Sequence, residues 1–363
     1  MTEHIRAAVI NRIGFITLDR ATALHSLSLE MVRALTDVLS GWRQDDGVAA
    51  VVIRGDGGKA FCAGGDIRFF HRAGQASPQS GSALIEDFFS EEYALNYLIQ
   101  GFPKPYIALM DGIVMGGGMG IAQAGPESRL RIVTERTKMA MPEVKIGLFP
   151  DVGGSFFLSR TPGRIGTYLG LTGETIGAAD ALHAGLADAF IPSDEVPALL
   201  RLLETSASGD VHSTVGAFCA SFANRLSATE STLAINRLAI DKHFAHDSVA
   251  TIMTSLEQAG DAFARDTLAI MQTRSPLMMC VTLEQLRRGA GMSLAECLRM
   301  ERTMVRRCFE RNEVFEGIRA AVIDKDNKPH WNPPTITAVT REEVMRFFEP
   351  AWPRCAHPLR DLA

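Results

Sequence analysis

A mixed α/β fold of repeated strand–turn–helix units with a helical C-terminal region is what this sequence predicts, on three observations. Two short apolar runs, 49–54 and 106–110, have the length and flanking breakers of buried strands. Each leads into a glycine-rich turn and then a helix-like stretch, so the unit recurs. From residue 194 onward, helical patterns take over.

In chain order, 5–19 reads as two short strands joined near Asn11 and Gly14. A helix is expected over 28–42, with Leu29, Val32, Leu35, Val38 and Leu39 on one face. Strand 49–54 follows, then the turn Lys59-Ala60-Phe61-Cys62-Ala63-Gly64-Gly65-Asp66-Ile67, with a helix opening from Asp66. Residues 73–82 are small and polar and read as a mobile loop. The next helix sets Glu86, Asp87, Glu91 and Glu92 beside Phe88, Phe89, Tyr93, Leu95 and Leu98, the pattern of an amphipathic element. Pro103 and Pro105 bracket the entry to strand 106–110, which runs on to Gly116, Gly117, Gly118 and Gly120.

A helix with Phe156, Phe157 and Leu158 is expected after Gly154, a short helix over 178–187, and a closing strand over 189–192. His183 reads as a packing or polar-face residue. Residues 194–275 are helical with a break at 206–210. Helices over 277–287 and 293–311 follow, the second with Leu294, Cys297, Leu298 and Met304 in one stripe and Glu296, Arg299, Glu301 and Arg302 opposite. The tail beyond Asp324, rich in proline and tryptophan, is expected to wrap over the core. The division expected is a core over 1–193 that carries the active site, with 194–363 packing on it.

With 363 residues the chain can bury a large core, and 46% apolar residues with a net charge of −5 describe an ordinary soluble protein. Mild acidity without charge blocks gives no footprint for nucleic acid or an anionic membrane, so a polyanionic ligand must meet local cations. The first residues lack the pattern of a secretory or transit segment, and no apolar run reaches the roughly 18 residues of a membrane span. Six scattered cysteines without a C-x-x-C pair read as reduced thiols, and a cytoplasmic location is expected. His243 and His246 have no nearby third ligand, so no metal site is expected.

The chemistry concentrates in 103–154. Consecutive glycines make poor strand or helix interior, but they let main-chain N–H groups approach a ligand. An isolated run would equally suit a tight turn; two such turns, each after a strand, can offer one N–H apiece to a single carbonyl oxygen. Neither has the spacing of a dinucleotide-binding or phosphate-binding loop. Two carboxylates, Glu143 and Asp151, then stand eight positions apart.

AFCAGGDI, MDGIVMGGGMG and MPEVKIGLFPDVGG resemble the crotonase (enoyl-CoA hydratase/isomerase) superfamily, and the last resembles its 3-hydroxyisobutyryl-CoA hydrolase branch in particular. Similarity extends through Ser293–Leu298 and Phe315–Ala320 to Asp324-Lys325-Asp326, nearly the whole chain. The resemblance implies a crotonase-like spiral of repeated ββα units acting on an acyl-CoA thioester, with coenzyme A as part of the substrate and no further cofactor. It puts the oxyanion hole at the amides of Gly65 and Gly117, with Gly64, Gly116 and Asp66 lining the substrate, and makes Glu92 a substrate contact. Arg68, Arg20 and Lys59 lie where the family binds the nucleotide part. Hydratases use two glutamates; here the first falls on Gly120, so two-carboxylate hydration is disfavoured. Glu143 remains, as nucleophile or as base for water, with Asp151 holding the substrate's β-hydroxyl or the water. Two carboxyls in a partly dehydrated pocket push their pKa values apart, leaving one able to hold a proton.

The expected reaction is hydrolysis of a short branched hydroxyacyl-CoA, most simply 3-hydroxyisobutyryl-CoA in valine catabolism. Its rivals are an enoyl-CoA isomerase or hydratase-type enzyme and a catalytically silent acyl-CoA-binding protein. The partner expected is the acyl-CoA; a homo-oligomer is left open, since cores of the superfamily often trimerise while the extra helices here could cover that surface.

Overall fold

The structure is a computed structural model that describes residues 2–76, 82–126, 128–205, 210–226, 231–311 and 313–363. The chain forms two compact units, each discontinuous in sequence: Met1–Gly65 with Ala94–Ala140 and Thr175–Ala234, and Asp66–Tyr93 with Met141–Glu174 and Ile235–Ala363.

The first unit holds the nine strands found among the described residues: β1 (Ile5–Ile10), β2 (Ile13–Leu18), β3 (Ala50–Gly55), β4 (Ala60–Cys62), β5 (Tyr106–Met110), β6 (Ile113–Met115), β7 (Arg129–Val133), β8 (Lys138–Ala140) and β9 (Ala189–Phe190). They make a six-stranded sheet in the order β1-β2-β3-β5-β7-β9 and a three-stranded sheet β4-β6-β8. Only β1 and β2 pair antiparallel. Every residue of β5 is buried, and so are the first four of β3. This explains their unbroken apolar runs: a parallel sheet is covered on both faces.

β1 and β2 are joined by Asn11 and Arg12 alone, both at positive φ (48° and 65°), and Ile10 pairs with Ile13. That is the two-residue turn whose twist suits a hairpin. Gly14, which opens the stronger expected strand over 14–18, lies within β2, where the ring of Trp42 occupies the place of a side chain. The helix after it spans Leu29–Gln44; Ser28 caps it, accepting from the Met31 N–H at 3.3 Å, and Leu29, Met31, Val32, Ala34, Leu35 and Leu39 form its buried face.

The ββα repeat is present three times, in β3–β4, β5–β6 and β7–β8, each with one strand in each sheet. The sequence reading had placed glycine turns directly after 49–54 and 106–110. Instead, a three-residue strand intervenes, and the turns follow Cys62 and Met115. Three residues are too few for a period to show. The 189–192 strand shrinks to β9, paired with β7. The short helix expected over 178–187 spans Ala178–His183.

The second unit contains no strand among its described residues. It begins with helix Ile67–Gln75, so Ala73 to Gln75, expected in a loop, are helical; 77–81 lie outside the described residues. Phe70, Phe88, Phe89 and Phe309 pack edge to face or tilted, with ring centroids 4.8–6.2 Å apart. Gly154–Phe157 is a single helical turn, continued by the 3-10 turn Leu158–Arg160. Helices Pro276–Gly289 and Leu294–Glu310 match the two expected, the second opened by a reciprocal cap between Ser293 and Glu296. The tail packs on this helix: Trp352 lies against the guanidinium groups of Arg302 and Arg306, and Arg299 donates to the Leu362 carbonyl at 2.7 Å. The break expected at 206–210 lies outside the described residues except for Asp210, which caps helix Val211–Ala220.

One expectation fails here. Glu301 and Arg302 were placed opposite the apolar stripe of 293–311, yet they are 0% and 1% exposed. Glu301 falls four residues after Cys297 and three before Met304, so helical spacing puts it on the buried stripe itself. Arg302 is neutralised by Glu86, whose carboxylate accepts at 2.6 Å, and it also donates to the Ser90 hydroxyl at 2.9 Å. No helix of the described residues is long and apolar enough to cross a membrane, and none of the six cysteines forms a disulfide.

Candidate active site

In the first unit, two turns leave the small sheet side by side, because β4 and β6 are parallel neighbours. After β4, Gly64 takes φ 92°, and its carbonyl accepts from the Leu27 N–H at 2.7 Å. After β6, Gly116 takes φ 50° and donates to the Ala140 carbonyl at 3.2 Å, and Gly117 opens helix Gly117–Ala122. A methyl group on Gly64 would come within 2.9 Å of the Met115 carbonyl and 3.3 Å of the Gly117 nitrogen, so the turns touch and neither leaves room for a side chain there. The amides of Gly65 and Gly117 have no acceptor among the described residues. Two unsatisfied donors on adjacent turns suit an oxygen that gains charge. Gly120 is buried in the helix that follows.

Of the expected phosphate-binding cations in this unit, Arg20 donates to the carbonyl and hydroxyl of Ser26 at 2.9 and 3.2 Å, and Lys59 is exposed. Asp66 and Arg68 belong to the second unit. Asp66 caps helix Ile67–Gln75, accepting from the Phe69 N–H at 3.2 Å; Arg68 is exposed on the first turn.

The second unit brings together Glu92, Glu143 and Asp151, which are 2%, 6% and 8% exposed. Glu92 comes from helix Ala83–Gln100, Glu143 opens the 3-10 turn Glu143–Lys145, and Asp151 precedes the helical turn Gly154–Phe157. Buried ionisable groups ordinarily carry partners. Here, among the described residues, one oxygen of Glu92 and one of Glu143 have none, the condition of a site whose partner arrives from outside. Asp151 accepts from the Tyr93 hydroxyl at 2.7 Å.

Burial raises all three pKa values, and the charge of Asp151 raises those of Glu92 and Glu143 further. Burial lifts Asp151 to about 6, and the Tyr93 O–H, which favours the ionised form, offsets part of that rise.

Two residues of this site carry no obvious mark in the sequence. Tyr93 had been grouped with the apolar face of its helix, and it is fully buried with its hydroxyl on Asp151. Glu301 accepts from the Gly153 and Ser155 N–H groups, both at 2.8 Å. Its one available signal was the spacing from Cys297 to Met304, where a carboxylate interrupts an apolar stripe.

Residues 13–348 match the family model described as enoyl-CoA hydratase/isomerase. A protein named 3-hydroxyisobutyryl-CoA hydrolase, mitochondrial, from Xenopus tropicalis is 40% identical over 338 residues, covering 92% of this chain and 86% of its own. The protein of that name from Homo sapiens is 36% identical over 340 residues, with 93% and 86% covered. Among solved structures, a carnitinyl-CoA dehydratase from Mycobacterium thermoresistibile superposes with a TM-score of 0.88 at 36% identity, covering 97% of this chain and 98% of that one. An enoyl-CoA hydratase from Rhodobacter sphaeroides gives 0.85 at 39%, covering 96% and 98%. The names differ in reaction and agree on a coenzyme A thioester. By a family match that spans most of its length, and by relatives of this similarity, the chain belongs to the enoyl-CoA hydratase/isomerase family.

Proposed function

We propose that this chain hydrolyses short branched hydroxyacyl-CoA thioesters, foremost 3-hydroxyisobutyryl-CoA, releasing the hydroxy acid and coenzyme A in valine catabolism. The observation that carries this reading is the orphaned, buried carboxyl of Glu143 grouped with Asp151, in a chain where Gly120 supplies no second glutamate. The hydrolase names of the relatives support it.

In this reading, the amides of Gly65 and Gly117 take the charge that develops on the thioester oxygen; each is worth about 3 kcal/mol of barrier. Gly64 and Gly116 shape those turns, Glu92 and Asp66 contact the acyl portion, and Arg68 and Arg20 meet the phosphates. Glu143 acts as nucleophile or base in its ionised form, and Asp151 holds the β-hydroxyl or the water. Glu143 either attacks the carbonyl carbon, forming an anhydride that water opens, or takes a proton from an attacking water. In the anhydride route the glutamyl C–O bond forms as the C–S bond breaks, and water then adds its own C–O bond as the anhydride C–O bond breaks; in the other route the C–O bond to water forms as the C–S bond breaks. In both, the proton that water gives up ends on the departing thiolate. No metal is needed. The absence of disulfides fits a reducing compartment such as the cytoplasm.

The rival is hydration, dehydration or isomerisation of the acyl chain, which the titles of the two solved structures favour. Purified chain, 3-hydroxyisobutyryl-CoA and a thiol-reactive chromophore separate the readings. One thiol is expected per thioester consumed. Turnover of an enoyl-CoA with no thiol released, or no turnover at all, overturns hydrolysis.

A further inference from the structure

The turn that presents Asp151 is held in a conformation its own residues resist. Val152 has φ 52°, in the left-handed region where a β-branched side chain is a steric outlier, and it is buried at 3% exposure. Such a conformation persists only where the surroundings over-determine it.

Those surroundings are two buried polar side chains from the C-terminal helices. Glu301 accepts the Gly153 N–H through Oε2 and the Ser155 N–H through Oε1, both at 2.8 Å. Gln285 donates through Nε2 to the Pro150 carbonyl at 2.5 Å and to the Ser155 hydroxyl at 2.8 Å. Both residues are 0% exposed. Asp151 and Val152 are therefore tied down from either side. Both oxygens accept an N–H, which a carboxyl can do in either protonation state because a protonated oxygen keeps a lone pair. Burial, with a smaller contribution from the Asp151 charge, pushes Glu301 up to about 8.

We propose that Glu301 is a positioning residue: its carboxyl group, by taking the amide hydrogens of Gly153 and Ser155 together, locks the strained turn at Val152 and so aims Asp151. This rests on the reading above, in which Asp151 acts on the substrate. The lock acts through one side chain's geometry, so it is open to a kinetic test.

The measurement is kcat and KM for 3-hydroxyisobutyryl-CoA in E301Q, D151N, D151N/E301Q and E301Q/V152G, with a thermal melt of each. Glutamine keeps the volume of Glu301 but turns an N–H toward one of the two amides. We expect kcat to fall by about 10²-fold, the scale of a roughly 1 Å misplacement, with KM within about threefold of the parent. In the D151N background the same change should cost less than about twofold, since the two residues act as one unit. Glycine enters the left-handed region freely, so V152G should return at least about fivefold of the kcat lost in E301Q.

A wild-type kcat in E301Q overturns the lock while leaving the role of Asp151 standing, provided D151N is impaired. An undiminished E301Q effect in the D151N background, or no recovery with V152G, overturns it equally. A fully active D151N removes the role of Asp151 and the lock with it. Should E301Q fail to fold, E301D, which keeps the carboxyl group but reaches only one amide, takes its place in the same cycle.

Discussion

The strand-built unit and the helix-built unit hold their reactive groups in opposite ways. In the first, the groups are main-chain amides on turns that open from β4 and β6, fixed by glycine conformations and by the pairing of the strands. Nothing there titrates, and the fold sets the geometry at little electrostatic cost. In the second, the groups are the carboxyls of Glu92, Glu143 and Asp151, buried against their preference, with two oxygens left unpartnered. A donor for an oxyanion can be built from backbone alone. A nucleophile or base must be a side chain whose charge the interior opposes, and helices are the elements that can bury one from several directions.

The largest effect should come from removing the reactive side chain. E143Q keeps the shape and hydrogen-bonding capacity of Glu143 but can neither attack nor accept a proton. Thiol release in the steady state should slow by about 10³-fold or more. A single turnover of the parent in water containing heavy oxygen, followed by mass spectrometry of the peptide with Glu143, tests the anhydride route: label found there requires a covalent path, with water attacking the glutamyl carbon. A fully active E143Q would break the comparison, because the helix-built unit would then hold no reactive group.

How much of this was legible in the sequence follows the same division. Strand β5 could be read from its unbroken apolar run between breakers, and helix Leu29–Gln44 and the helices Pro276–Gly289 and Leu294–Glu310 because each is long enough for its period to show. So could the glycine turns, whose composition has few uses. The strands β4, β6 and β8, at three residues each, could not. The turn near Asn11 could be placed but not its two-residue form, since arginine at positive φ gives no compositional warning. The supports of the carboxyl cluster were the least visible. Glu301 meets Gly153 across 148 positions of chain and Tyr93 meets Asp151 across 58, and spacing along a sequence carries nothing about such pairs. Glu143 and Asp151 were found through their motif; the rise in their pKa values required the burial that only the fold shows.

A smaller effect is expected from disturbing the strand-built unit. Gly64 has φ 92°, and a methyl group there would lie 2.9 Å from the Met115 carbonyl and 3.3 Å from the Gly117 nitrogen. G64A should therefore shift the Gly65 and Gly117 amides apart and lower kcat by about 10²–10³-fold, the cost of one oxyanion donor. Because no titratable group moves, the profile of kcat/KM against pH should keep its shape while dropping throughout. A displaced limb in that profile would show that the turns and the carboxyls do not divide the work as their chemistry suggests.

The smallest effect, and the one that tests the cost of the carboxyl cluster most directly, is on stability. Asp151 releases its proton at about 6 in the folded chain, against an ordinary value of 3.8. The folded state therefore binds more protons between those values, and stability falls as pH rises through that window. The penalty is absent below about 3.8 and complete above about 6; a rise of this size corresponds to a ceiling of about 3 kcal/mol. D151N removes the charge while leaving an oxygen for the Tyr93 hydroxyl, and it also relieves Glu92 and Glu143 of a neighbouring anion. Its melting temperature should exceed the parent's at pH 7 and meet it near pH 3.5, even as thiol release slows. Equal melting temperatures at both pH values would mean that Asp151 ionises in the fold without resistance, and the helix-built unit would then hold its carboxyls as cheaply as the strand-built unit holds its amides.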